Sequence, residues 1–280
     1  MDLNQDLKNY TFVAFDTETS GQYPIGSEIV EFGAVKWHSG KVVDTLQVFS
    51  KPKKPIPDNV IKIHGITNEM LESEPPLVES LPRILKFIES SVLVAHHAPF
   101  DLGFMAYALE EAGYDIPDQP ALCTSLLSRK WIPETTDHKL QTLIKELNLV
   151  GGTAHRALDD ASACLDVVFK CFDRMPLGST LAAAIKSQWK DLTWKNFSIS
   201  NIRNQKIKNI IEAIQKNISI DLLYNGGSHR GEVRQVFPLG IVRNPDGDYL
   251  SAFCFIDKKD KRYYLQKIAE AEVNYSTVSF

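Results

Sequence analysis

Tyr10-Thr11-Phe12-Val13-Ala14-Phe15-Asp16-Thr17-Glu18-Thr19-Ser20-Gly21 decides how the first half of this 280-residue chain is read. Residues 10–17 have the character of a strand. Phe12 and Ala14 fall on one face and Val13 and Phe15 on the other, so both faces are apolar and the strand is central, covered from two sides. The two-residue period throws Asp16 and Glu18 to the same side, where both can reach one ion. A lone Asp-x-Glu is also what a solvated strand end looks like. Here the strand before it is apolar throughout, which puts the acids where a buried α/β sheet opens toward ligands.

Working outward, residues 31–37 and 42–49 are two further strands around a polar, Gly-containing loop, His38-Ser39-Gly40-Lys41, so the chain opens as a β-meander. Residues 77–90 are expected to be helical and residues 92–95 to form a short buried strand. A helix follows over 101–111 and stops at Gly113. Helices are also expected over 139–147 and 158–172, giving an α/β domain over residues 1–175. Pro176, Gly178 and Ser179 open a linker, 176–204, with a short helix near 181–189. A helix at 206–215 and β-like runs at 218–224, 233–242, 248–256 and 262–265 then mark a small, mostly β second domain, 205–280.

Composition fits a soluble folded protein, with 44% hydrophobic and 24% charged residues. No apolar run is long enough to cross a bilayer and no export signal is visible, so a cytoplasmic, membrane-free protein is expected. Cys123, Cys164, Cys171 and Cys254 form no C-x-x-C pair and fit reduced core residues. The net charge of -4 is unevenly spread: residues 177–280 carry 15 Lys+Arg against 10 Asp+Glu, leaving 16 against 25 before them. An acidic half binds a polyanion only if cations neutralise some of its carboxylates.

Asp101 opens the helix after the short strand, where Asp is equally at home as an N-cap. Asp160 shares a helix face with Cys164 and Val167/Val168 and points inward, whereas Asp159 continues through Ala163, Asp166 and Lys170 and points out. An acid directed at an apolar face is costly unless it is paired or binds metal. His155 would lie about 140° away on a continuous helix, so it approaches Asp160 only from a loop, which Gly151-Gly152-Thr153 provides.

Phe15-Asp16-Thr17-Glu18-Thr19-Ser20-Gly21, Ala95-His96-His97-Ala98-Pro99-Phe100-Asp101 and His155-Arg156-Ala157-Leu158-Asp159-Asp160-Ala161 resemble, in order, the three motifs of the DEDDh exonuclease superfamily, which includes the proofreading subunits of bacterial replicative polymerases. His64-Gly65-Ile66-Thr67 also resembles that family, and the resemblance spans about residues 10–175. It implies an RNase H-like fold, a mixed central sheet flanked by helices. It also implies 3′-to-5′ exonuclease activity on single-stranded DNA or RNA ends, releasing nucleoside monophosphates. Asp16, Glu18, Asp101 and Asp160 would bind two divalent ions, Mg²⁺ or Mn²⁺, and His155 would take a proton from the attacking water. Thr17, Thr19, His64, His96 and Phe100 become candidates for holding the terminal nucleotide, although Phe100 serves equally well as a core residue. Where relatives have Asn after the histidine of the second motif, this chain has His97.

In the second half, Ile220-Asp221-Leu222-Leu223-Tyr224, residues 233–240, Gly247-Asp248-Tyr249-Leu250-Ser251-Ala252 and residues 262–268 resemble a WYL domain, a small Sm-like β module of bacterial regulators that is thought to sense nucleic acid or nucleotides. Asp248 stands in place of the name-giving Trp, and Lys267 where Arg is common. Arg234, Tyr249 and Arg262 are the ligand candidates: guanidinium groups grip phosphate and an aromatic face accepts a base. Each also reads as an ordinary surface charge or strand aromatic. Two other functions fit the same pattern: a catalytically silent nucleic-acid-binding regulator, and a metal-dependent phosphatase acting on monoesters.

Overall fold

The computed structural model describes residues 1–227 and 229–275 and contains two five-stranded sheets. In chain order the elements are β1 (Phe12–Thr19), β2 (Ile29–His38), β3 (Lys41–Phe49), α1 (Asp58–His64), α2 (Leu77–Ile88), β4 (Val92–Ala95), α3 (Pro99–Glu111), β5 (Ala121–Cys123), α4 (Thr124–Trp131), α5 (Leu140–Glu146), α6 (Ala157–Asp173), α7 (Leu181–Ser187), α8 (Gln205–Lys216), β6 (Ile220–Tyr224), β7 (Val233–Val242), β8 (Tyr249–Cys254), β9 (Lys259–Tyr264) and β10 (Ile268–Val273). No helix among the described residues is long and apolar enough to cross a membrane.

The first sheet has the order β3-β2-β1-β4-β5 and is mixed: β1, β2 and β3 pair antiparallel, while β4 runs parallel to β1 and β5 parallel to β4. The central, doubly covered strand expected from the alternation in β1 is observed. Val13 and Phe15 pack with Phe32, Ala34 and Leu93 beneath α2 and α3, whereas Phe12, Ala14, Val92 and Val94 pack beneath α4 to α7. The four cysteines are buried and free.

One helix begins differently from the expectation. α3 starts two residues before Asp101, at Pro99, whose missing N–H costs nothing in a first helical turn. Asp101 therefore lies inside that turn rather than capping it, and its carboxylate is free to look across to β1. Four short elements were not expected from the sequence: α1, closed by left-handed Gly65 (φ 73°), β5, α4 and β10.

The middle of the stretch 176–204 is packed against the first sheet system. Leu181 and Ala184 join the core under α6, Leu192, Trp194 and Phe197 join the core on the opposite face, and Trp194 Nε1 donates to the Leu102 carbonyl at 3.2 Å. Beyond it lies an all-antiparallel sheet of order β10-β6-β7-β8-β9. It is covered by Ile207, Ile210 and Ile214 of α8, which meet Leu222, Val236 and Leu250. The two sheet systems touch: Tyr23 Oη and Ser251 Oγ lie 2.8 Å apart, and the Glu110 carboxylate accepts from the backbone N–H groups of Ile199 (2.9 Å) and Ser200 (3.1 Å).

Gly33 sets where α6 can sit. It is paired with Asp16 in the β1/β2 register, and a β-carbon there would lie 2.1 Å from Leu158 N and 2.2 Å from Ala157 C. Backbone cannot yield as a flexible side chain would, so only glycine lets the first turn of α6 reach the strand beside Asp16. Gly33→Ala should destabilise the protein by at least the ~1–3 kcal/mol typical of overpacking. Chemical denaturation checks this, and unchanged stability would show that α6 can move away from β2 at little cost.

Candidate active site

The ends of β1, α3 and α6 meet at one edge of the first sheet. Asp16 and Glu18 project from β1 in a register that sets them beside Gly33 and Glu31 of β2. Asp101, 2% exposed, is fixed from 84 residues away: its Oδ1 accepts from Thr17 N (3.0 Å) and Thr17 Oγ1 (2.8 Å). Asp160 is buried in the first turn of α6, as its helical spacing requires. Its Oδ2 accepts from His155 N at 3.0 Å, and Gln141 Nε2 lies 3.3 Å from its Oδ1. Asp159 turns away and receives Thr153 N–H at 2.8 Å.

His155 sits in the loop before α6, exposed and in the left-handed region (φ 60°). One ligand atom from each of Glu18, His155 and Asp160 lies within 4.8 Å of the others. Asp16 and Asp101 belong to the same electrostatic cluster. Burial first, and then Asp101, Glu18 and Asp160, hold the Asp16 carboxyl well above its ordinary range. Burial, followed by Asp160 and Glu31, pushes Glu18 up to about 8. Burial raises Asp101 to about 7 against the opposing pull of its Thr17 hydrogen bonds, and it raises Asp160 despite the N–H from His155.

Two residues that sequence reasoning passed over hold this edge together. Glu31 is fully buried in β2 and accepts from Gln47 Nε2 (2.6 Å), Arg156 Nε (3.2 Å), Arg156 Nη2 (3.3 Å) and Ala157 N (3.3 Å). The clamp fixes the residue that follows His155, and it commits the Arg156 guanidinium to Glu31. An acid inside the apolar run Ile29-Val30-Glu31-Phe32 was the available signal, since such an acid must find partners.

The residues proposed to hold a terminal nucleotide are not equivalent. Thr17 is consumed by Asp101, and Thr19 Oγ1 donates to the Gly21 carbonyl at 2.7 Å, shaping the turn after β1. His64 is buried, with Nδ1 accepting Ile66 N–H at 3.0 Å, and its Nε2 has no partner among the described residues. Burial lowers its pKa. His96 Nδ1 lies 2.9 Å from Thr124 Oγ1, and burial, with His97 beside it, brings its pKa down to about 4. Phe100 is partly buried against Phe104 (ring centroids 4.9 Å apart). His97 is exposed at φ 60°, in the left-handed region where Asn and His are both enriched among non-glycine residues. In the second sheet, Arg262 lies over the Tyr249 ring at 5.0 Å, but Arg234 does not join them. Arg234 is 2% exposed, between the rings of Tyr224 and Tyr263.

Four acids, all raised by burial and three of them, Asp16, Glu18 and Asp101, also by others of the group, suit hard divalent cations, which take oxygen ligands and supply counter-charge. The donor set therefore fits divalent cations.

Residues 13–168 match the family model RNase_T, described as Exonuclease. A DNA polymerase III PolC-type of Halalkalibacterium halodurans is 36% identical over 157 residues, which are 56% of this chain and 11% of that protein. The chain thus spans only about a ninth of this relative's length. Among solved structures, exonuclease X in complex with 5′ overhanging duplex DNA is 25% identical, with TM-score 0.51, covering 63% of this chain and 99% of its own. Exonuclease I shares the fold at 16% identity and TM-score 0.56, covering 87% of this chain and 55% of its own.

Stability should report the acid cluster directly. Carboxyls whose folded pKa is raised stabilise the fold below about pH 4, and that contribution is lost as pH rises through about 7 to 8. In EDTA the melting temperature should fall across this window, and Mn²⁺ should raise it more at pH 8 than at pH 5. Thermal scans that are flat with pH and unmoved by Mn²⁺ would contradict the electrostatics described.

Proposed function

Since the chain belongs to the Exonuclease family, we propose that it removes nucleoside monophosphates from the 3′ end of a single strand by metal-dependent phosphodiester hydrolysis of the DEDDh type. The observation that carries this reading is the convergence of Glu18, Asp160 and His155 within 4.8 Å, inside a group of buried acids that also raises Asp16. Asp16, Glu18, Asp101 and Asp160 would hold two divalent ions. Bound there, such ions neutralise phosphate oxygens and acidify water.

The remaining work falls to side chains. His155 accepts the proton of the attacking water, a general-base task suited to an imidazole. Water oxygen bonds to phosphorus, the bond from phosphorus to the 3′ oxygen of the preceding nucleotide breaks, and that oxygen takes up a proton. Thr17 and Thr19 fix the backbone along which the terminal nucleotide lies, and His64, a further candidate for holding it, is buried. His96 braces the second motif through Thr124, and Phe100 offers an apolar face. A single strand suits such a cleft because its terminal base is already unstacked.

We read residues 205–280 as a Sm-like, WYL-like module. Its all-antiparallel sheet behind α8 supports that reading, and Tyr249 and Arg262 are the ligand candidates that remain reachable.

Release of mononucleotides from a 5′-labelled single strand, with Mg²⁺ or Mn²⁺, tests the proposal. Asp16→Asn and Asp160→Ala should abolish release while the protein stays folded, and full activity in either would defeat the assignment. His155→Ala should slow turnover by roughly 10² to 10⁴. Unchanged turnover would remove His155 from the mechanism.

A further inference from the structure

Between the two sheet systems lies a cleft of about 300 Å³. One wall is the loop Gln22-Tyr23-Pro24, which continues β1 past Glu18, together with His97 and Phe100 at the start of α3, the helix that carries Asp101. The opposite wall comes from outside the family-matched segment: Arg243 just after β7, Tyr249 of β8 and Arg262 of β9. The cleft thus takes one wall from segments adjoining β1 and α3, which carry Glu18 and Asp101, and the other from the second sheet.

Its two walls are held in fixed relation. Tyr23 Oη meets Ser251 Oγ at 2.8 Å, and a β-carbon at Gly240 would lie 2.2 Å from Tyr23 Cβ, so the Tyr23 side chain packs directly against the Gly240 backbone. Arg243 is occupied as a clamp, with Nε donating to Asp248 Oδ1 at 2.9 Å and Nη1 donating to the Ser198 carbonyl. Arg262 is different. It is exposed, has no ion-pair partner among the described residues, and lies 5.0 Å over the ring of half-buried Tyr249. An available guanidinium beside an aromatic ring, facing a second aromatic at Phe100, is a pairing that suits alternating phosphates and bases.

We propose that this cleft binds the single-stranded segment that leads into the active site, with Tyr249 and Phe100 receiving bases and Arg262 a backbone phosphate. The inference rests on the exonuclease reading above and adds that the second sheet sets how strongly long strands are preferred to short ones. The shared chemistry is a single strand, of either sugar type, longer than the unit being removed.

The test uses the full chain, with matched dT and rU substrates of two and twelve nucleotides. In Tyr249→Ala/Arg262→Ala, kcat/KM for twelve-mers should fall on the order of tenfold or more, mostly through KM, while dinucleotides change less than twofold. Arg262→Glu alone, an exposed change the fold tolerates, should act in the same direction and flatten the salt dependence. Loss on one sugar type only would assign the cleft to that nucleic acid. Equal losses at both lengths, or none at either, would overturn the proposal. If the unsubstituted chain releases nothing from any substrate, the exonuclease reading has failed instead. The cleft is then judged by fluorescence anisotropy of a labelled twelve-mer, where equal affinity of the parent chain and the double variant would refute it.

Discussion

Four carboxylates held together at one end of β1 are the constraint around which the first sheet system is arranged. Burial and mutual repulsion both oppose their ionisation, so the scaffold has to hold them where they would not gather unaided. Thr17 ties Asp101 to β1, the His155 N–H ties Asp160 to its own loop, and Gly33 admits α6 to the strand. Each device acts on the backbone or through a buried hydrogen bond. Divalent cations are the counter-charge such an arrangement calls for.

Glu31 shows by contrast what a structural acid looks like in the same neighbourhood. It is more deeply buried than Asp160, yet its two oxygens take hydrogen bonds from Gln47, Arg156 and Ala157. An acid satisfied in this way has its charge answered by protein groups and is a poor ligand. Asp16, by comparison, has only like charges among the groups that act on it most strongly. The difference separates a clamp from a binding site more clearly than burial does, and it places Arg156 as a brace beside His155.

Much of the first half was legible because local periodicity controls it. Alternation in β1 set the two faces of the central strand, and helical spacing turned Asp160 inward and Asp159 outward, as observed. The position of Asp101 was harder to read. Its partner Thr17 is 84 residues away, and a helix starting at Pro99 looks locally much like one capped by Asp101. Arg234 illustrates the same limit: in an alternating strand it resembles a solvated cation, and only the packing of Tyr224 and Tyr263 around it reveals a buried one. The cleft was invisible in the sequence, because it arises where the turn after β1 meets strands more than 200 residues later.

The central claim is that these acids bind cations by giving up protons. Calorimetric titration of Mn²⁺ into the full chain near pH 6.5, repeated in buffers of different protonation enthalpy, addresses it most directly. Saturable binding accompanied by net proton release is expected, with loss of both in Asp101→Asn. Heats independent of the buffer, or the same binding in the variant, would contradict it.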